Sequence, residues 1–127
     1  MRTSLLLLFL SATAPALAAD VSFDQAKALA DRDEASLSSA QMQQLIAAQA
    51  RTGKEAHSIC LSFNPKPERS PYTVVMKLDA SGKVVRTWLR GQSSLAHCFN
   101  EEMAHKTLFT PPRAPFFTSF GMSWQHP

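Results

Sequence analysis

Two cysteines and two histidines are the residues of this chain whose types and spacing could do chemistry. His57 stands three residues before Cys60, and His97 is adjacent to Cys98. Two thiolates and two imidazoles are a common ligand set for Zn²⁺. Neighbouring residues on a helix, however, point about 100° apart, so His97 and Cys98 face one metal only if their helix begins irregularly. We predict no metal site, with a copper or zinc carrier kept as an alternative.

The same two cysteines are better suited to a disulfide bond. Cys60 and Cys98 fall on the apolar faces of two predicted helices, so their sulfurs meet if both helices pack on one face of a sheet. The chain has no Cys-x-x-Cys spacing, which argues against a redox role. We therefore predict a structural Cys60–Cys98 disulfide, which would stabilise the fold by roughly 3 to 4 kcal/mol.

The N-terminal segment has the three parts of an export signal. Arg2 supplies a positive charge, Leu5 to Leu10 an apolar core, and Ala16-Leu17-Ala18 a small-x-small cleavage pattern. The apolar run is too short to remain as a membrane span. We predict that residues 1–18 are a cleaved signal peptide, that no stable membrane insertion follows cleavage, and that the mature protein is periplasmic or secreted. Such oxidising compartments favour disulfide bonds.

Composition and motifs argue against several classes of function. The chain has 127 residues and a formal net charge of +3, without a dense cluster of Lys and Arg, so nucleic acid is not expected as a partner. It contains no Gly-rich phosphate loop, zinc-protease helix or nucleophile elbow. Asp79 falls in a predicted turn, where Asp is favoured for backbone reasons. We predict no catalytic site and no cofactor.

Two predicted helices precede the strands. Phe23, Ala26, Leu29 and Ala30 recur at helical spacing within residues 19–36, with Ser22 and Gln25 as a capping box. The charged residues 31–34 then predict a solvated turn or linker. The capping-box spacing recurs at Ser38 and Gln41, where we expect a long helix to begin that ends near Cys60 and that Gly53 weakens.

The remaining elements define the fold class. Residues 72–78 and 83–90 alternate in polarity around a turn at Asp79–Gly82, which predicts a hairpin. A helix capped by Ser93 or Ser94 and a strand over residues 116–124 follow. We predict an α+β fold, in which a three-stranded antiparallel sheet carries two main helices packed on one face (α-β-β-α-β), with a short extra N-terminal helix.

The segment from Leu37 to Trp124 resembles the TonB C-terminal-like domain, in the version found in AgmX-type proteins. The resemblance rests on the Leu37-Ser38 helix start, the hairpin residues 77–84, Ser93-Ser94-Leu95 before the helix that holds Cys98, Phe109 with Pro111-Pro112, and the strand start Pro115-Phe116. It implies one domain over residues 37–127, after a helix and linker over 19–36, that binds another protein. The chain departs from an energy-transducing TonB in lacking a retained anchor and a Pro-rich spacer, so a free-standing adaptor or inhibitor fits better.

One face of the predicted sheet is the candidate partner surface. If Val85 and Leu89 face the main helices, the opposite face carries Val75, Lys77, Val84, Arg86, Trp88, Arg90 and Phe117. An aromatic residue between two arginines is typical of an interface hot spot. Either this face is open and binds a partner through Lys77, Arg86, Trp88, Arg90 and Phe117, or the N-terminal helix or a dimer mate covers it and Trp88 is core.

The predicted last strand, residues 116–124, offers a second route, since a partner's strand can add to unpaired backbone groups at a sheet edge. The sequence thus predicts a module that binds another envelope protein through an open sheet face or an edge strand. A homodimer through the sheet is a further arrangement. The alternatives are an inhibitor or immunity protein of an envelope-targeted enzyme and the metal carrier already named.

Overall fold

A computed structural model describes residues 20–124, so the predicted signal peptide lies outside the described residues. The elements are α1 (Phe23–Ala35), α2 (Ser39–Phe63), β1 (Tyr72–Leu78), β2 (Val84–Arg90), α3 (Ser94–Met103) and β3 (Phe116–Met122). The predicted α+β class is confirmed. Within residues 20–124, no helix combines the length and apolar character that crossing a membrane requires.

Both helices before the sheet begin with the capping boxes that the sequence predicts. The Ser22 hydroxyl accepts a hydrogen bond from the Gln25 backbone N–H, and the Gln25 side chain accepts one from the Ser22 N–H. Ser38 and Gln41 repeat this exchange at the start of α2. Each pair satisfies two backbone donors that a helix start would otherwise leave open.

The long helix α2 continues through Gly53 without a break and ends at Phe63, three residues beyond Cys60. A Cβ atom at position 53 would lie 3.1 Å from Cε2 of Phe120 in β3. Gly53 therefore allows the helix to approach this ring closely, and its weak helix propensity is tolerated for that contact.

The three strands form an antiparallel sheet in the order β2-β1-β3. The hairpin turn between β1 and β2 is held by Asp79, whose Oδ1 accepts hydrogen bonds from the Ser81 and Lys83 N–H groups at 2.9 and 3.0 Å. The hydrogen bond from the Ser81 side chain is the main reason why the pKa of Asp79 lies below its usual value. Asp79 thus has a structural role in the turn.

A β-bulge at the start of β2 changes which residues face the main helices. Lys77 pairs with Arg86 but Leu78 pairs with Val84, so Val85 is the extra residue. Val84 is 2% exposed in the main core, whereas Val85 is 55% exposed. The prediction that Val84 shares the face of Trp88 is therefore wrong, because it assumed uninterrupted alternation along the strand.

Helices cover both faces of the sheet. On one face α2 and α3 enclose the main core, to which Leu45, Ala56, Val74, Met76, Phe99 and Phe116 contribute. On the other face α1 packs Ala26 and Ala30 against Val75, Trp88 and Phe117. Of the two interpretations of this face, the structure has the one in which the N-terminal helix covers it. The two small alanines let α1 lie close to the large aromatic side chains.

Candidate functional site: the sheet, its two edges and the disulfide

The outer edge of β3 is closed by a carboxylate of α1. Asp33 is 1% exposed. Its Oδ2 accepts a hydrogen bond from the Phe117 backbone N–H, and its Oδ1 accepts one from the Arg113 guanidinium, both at 2.9 Å. The prediction of a solvated turn over residues 31–34 is wrong, because these residues lie in α1 and Asp33 satisfies a buried donor of the strand.

Glu34 and Gln49 complete the closure of this edge. The Glu34 carboxylate accepts hydrogen bonds from the Ser119 N–H at 2.9 Å and from the Thr118 hydroxyl at 2.7 Å. The Gln49 amide in α2 donates to the Ser119 carbonyl at 3.0 Å. The prediction that residues 116–124 offer an open edge is therefore wrong from Phe117 to Ser119, where side chains already bind the Phe117 N–H and both the N–H and the C=O of Ser119.

The opposite outer edge, on β2, is open over part of its length. The N–H groups of Phe117 and Ser119 point outward, away from β1. Their partners in β1, Lys77 and Val75, therefore direct their own backbone N–H and C=O groups toward β2, because bonded and non-bonded pairs alternate along antiparallel strands. Arg86 and Trp88 lie opposite those β1 residues, which leaves the backbone N–H and C=O of Thr87 and Leu89 directed outward. Among residues 20–124, no hydrogen bond is formed to these outward groups.

A loop covers only the beginning of this β2 edge. The Val84 N–H donates to the Lys106 carbonyl at 3.0 Å, and Lys83 forms an isolated bridge with Thr107. The exposed side chain of Val85 follows immediately. The open part of the edge therefore runs from Val85 to the end of the strand, and we call Val85–Arg90 the β2 edge.

The predicted hot-spot tryptophan is buried beneath α1. The indole Nε1–H of Trp88 donates to the Val21 carbonyl at 2.7 Å, and its ring packs 5.8 Å from that of Phe117, centroid to centroid. The Arg86 guanidinium lies 4.6 Å from the centroid of the Trp88 ring and pairs with Asp20 at 3.4 Å. This aromatic and cationic surface is thus used inside the molecule.

Arg90 fastens the start of α1 in the same way. Its guanidinium lies 4.1 Å from the centroid of the Phe23 ring and 2.8 Å from the Asp24 carboxylate. Lys77 lies opposite Phe117 in the sheet register. Partner binding through Lys77, Arg86, Trp88, Arg90 and Phe117 stays a prediction, and it would require α1 to leave the sheet.

The predicted disulfide is present. Cys60 in α2 and Cys98 in α3 are bonded, with their Cα atoms 5.8 Å apart and a separation of 38 positions in sequence. Closing a loop of this length stabilises the fold by about 4 kcal/mol. In this form neither sulfur is a thiolate ligand. Within residues 20–124, no three or more His, Cys, Asp or Glu side chains are grouped so that they could hold a metal ion.

His57 faces the protein interior beside this disulfide. Its Nε2 shares a hydrogen bond with the Tyr72 hydroxyl, and its ring stacks on Phe99 with the centroids 4.5 Å apart. Burial lowers the pKa of His57, and a hydrogen bond to the Gly53 backbone offsets part of this effect. His57 is therefore a half-buried histidine whose environment favours the neutral imidazole.

Sequence reasoning missed an apolar cavity next to His57. The cavity has a volume of about 170 Å³. It is lined by His57, Leu61, Pro67, Arg69, Leu95, Met122 and Trp124. These residues come from α2, the loop after it, α3 and the end of β3, and no sequence spacing shows that they converge.

Comparison with known proteins found no matching family model, no matching curated protein and no matching solved structure. The resemblance to the TonB C-terminal-like domain therefore stays a prediction. The observations on which a function can be based are the fold, the disulfide, the two unequal sheet edges and the apolar cavity.

Proposed function

We propose that this chain is an exported protein-binding module whose binding element is the β2 edge, Val85–Arg90. The observation that carries the proposal is the difference between the two sheet edges. At β3, the outward N–H groups of Phe117 and Ser119 are bonded to side chains. At β2, the backbone groups of Thr87 and Leu89 have no such partners among the described residues. An extended segment of another protein adds to such an edge through its own backbone.

The side chains of this edge suit recognition of an extended segment. Val85 is exposed and Leu89 is half-buried, and both are apolar. Arg86 and Arg90 project on the opposite face, where Asp20, before α1, and Asp24, in α1, are their acidic partners. In strand addition the backbone provides affinity and alternate side chains provide specificity. A partner strand would therefore meet an apolar row on one face and two ion-paired arginines on the other.

Two features support an envelope location for the partner. The residues preceding the described part have the composition of an export signal. The Cys60–Cys98 disulfide fits an oxidising compartment. Both features support the proposal that the module acts in the periplasm or outside the cell and that its partner is an envelope protein.

Substitution of Thr87 by proline tests the proposal directly. The Thr87 N–H points away from β1, so Thr87→Pro removes an outward donor and no ladder bond of the sheet. Mature wild-type and variant proteins are used to capture partners from an envelope extract of the native host. Thr87→Val, which keeps the N–H, is the matched control, and unfolding curves check that all three proteins are folded.

We expect Thr87→Val to retain the captured partner and Thr87→Pro to lose it. Hydrogen exchange of the complex should then show protection of the Thr87 and Leu89 amides. Equal capture by both variants, without protection of these amides, would remove the β2 edge from the proposal. Val85→Lys provides a second test that leaves the backbone intact, because a charge at an edge strand opposes strand addition.

A further inference from the structure

The apolar cavity beside His57 lies apart from the β2 edge and has its own chemistry. Its lining combines four apolar side chains and a proline with one imidazole and one guanidinium. The imidazole Nε2 is engaged by the Tyr72 hydroxyl. Arg69 is therefore the charged group of the lining that is left to meet a ligand.

Arg69 lacks an acidic partner in the described structure. Across residues 20–124, no carboxylate lies within 4.0 Å of its guanidinium. The carboxylate of the adjacent Glu68 accepts a hydrogen bond from the Ser70 hydroxyl at 2.6 Å. An exposed guanidinium next to an apolar cavity is complementary to a ligand with an apolar body and a carboxylate.

The volume of the cavity limits the size of the ligand that it can hold. Pockets that hold whole small molecules measure about 300–1,000 Å³. This cavity has about 170 Å³, which suits a single large side chain. A second apolar depression lies on the other side of Pro67 and Leu95 and includes Phe63, which is 80% exposed. The apolar surface therefore continues beyond the cavity, as it would for a chain that enters from one side.

We propose that this cavity binds the C-terminal residue of a partner protein. The apolar side chain of that residue fills the space between Leu61, Leu95 and Trp124, and its α-carboxylate accepts hydrogen bonds from the Arg69 guanidinium. The preceding residues of the partner lie over Pro67 toward Phe63.

A peptide with a defined terminus provides the probe. An N-acetylated tetrapeptide that ends in phenylalanine is titrated into isotope-labelled mature protein, and the amide resonances are followed by NMR. The same peptide with a C-terminal amide removes the carboxylate, and a version ending in alanine removes the large side chain. Arg69→Gln removes the guanidinium, and Lys66→Gln is the matched control in the same loop but outside the cavity lining.

We expect the free-acid peptide to shift resonances around Arg69, Leu95 and Trp124. Amidation should weaken binding at least about tenfold, a single charge-assisted contact being worth that much. In Arg69→Gln the acid and the amide should bind equally weakly, whereas Lys66→Gln should bind as the wild type does. Unfolding curves identical to wild type should accompany both substitutions, since both side chains are exposed.

Several results would overturn this assignment. They are equal binding of acid and amide by the wild type, unchanged binding by Arg69→Gln, and no shift at the cavity at millimolar peptide. Tighter binding of decanoate than of the peptide would assign the cavity to a free fatty acid instead. Concentration-dependent shifts at the cavity without peptide would assign it to a second copy. Because Thr87 and Val85 lie outside the cavity lining, their variants should bind this peptide normally, which separates this test from that of the β2 edge.

Discussion

Asp33 and Phe117 are 84 positions apart in the chain, yet the Phe117 backbone N–H donates to the Asp33 carboxylate at 2.9 Å. The bond joins α1 to β3, and with Arg113 it uses both carboxylate oxygens. A side chain of the N-terminal helix thus takes the place that a neighbouring strand would have at this edge. The same hydrogen bond therefore both covers the edge of β3 and holds α1 on the sheet.

Removal of this carboxylate should destabilise the protein strongly. In Asp33→Ala, a buried backbone N–H and the Arg113 side chain lose their acceptor, and we expect the free energy of unfolding to fall by about 3 kcal/mol. Asp31→Ala is the matched control, because Asp31 is exposed and forms a surface ion pair with Lys27, so its loss costs about 0.5 kcal/mol or less. Urea unfolding measures both, and similar losses in the two variants would contradict the role of Asp33.

His57 should make stability depend on pH. Its pKa in the folded protein lies below the usual value of about 6.5, mainly through burial. Below about pH 6.5 the unfolded chain therefore binds a proton at His57 that the folded protein does not bind. The free energy of unfolding decreases as the pH falls through this range, and His57 stops contributing to the decrease once the pH is below its pKa in the folded protein.

Stability curves between pH 7.5 and the acid range test this sign. His57→Gln, which can still bond to the Tyr72 hydroxyl, should flatten the curve just below about pH 6.5. A wild-type curve that rises as the pH drops through this window would contradict the environment described for His57.

The disulfide should account for much of the stability of this small domain. Replacing both Cys60 and Cys98 by alanine should lower the free energy of unfolding by about 4 kcal/mol. Thiol titration of the mature wild-type protein under denaturing conditions should detect no free thiol. Two reactive thiols would refute the bond and would reopen the metal alternative.

Arg90 should hold α1 on the sheet. Arg90→Glu places a like charge beside Asp24 and removes the stacking on Phe23, so we expect a loss of about 1 kcal/mol and partial release of α1. In a Trp124→Phe background Trp88 is the remaining tryptophan, and its emission should shift to the red.

A double variant in which the charges at positions 24 and 90 are exchanged is the control for Arg90→Glu. Asp24→Arg combined with Arg90→Glu restores opposite charges and should recover most of the stability and the blue emission. If Trp88 emission is the same in wild type and Arg90→Glu, this ion pair does not position α1. Captured envelope proteins that bind only Arg90→Glu would show that the sheet face beneath α1 can bind a partner once α1 is released.

Much of the fold could be predicted because its signals are local. Ser22 with Gln25 marks the start of α1, and the alternation after Tyr72 marks the first strand of the hairpin. The Cys60–Cys98 bond follows from two apolar helix faces that pack on one side of a sheet. Each of these features depends on residues close in sequence or on a disulfide bond, and two cysteines can form such a bond within the chain in one way only.

The rest depends on contacts that sequence spacing does not show. The bulge at Val85 leaves no mark in the alternation of the strand, so the alternation predicts the wrong face for Val84. Asp33 and Glu34 look like surface charges until β3, some 80 positions later, supplies their donors. The cavity at Arg69 needs four separate segments to meet, and only the three-dimensional fold brings them together.

The bond between Cys60 and Cys98 turns residues 60–98 into a covalent ring that contains the whole β1–β2 hairpin and the Pro-rich loop before it. A protease that cuts once in the exposed loop around Pro65 would therefore open the ring without releasing a fragment. The nicked protein would keep its full mass until a reductant is added. α1 and β3 lie outside the ring, so a cut between either of them and the ring would free it from all covalent attachment to the hairpin.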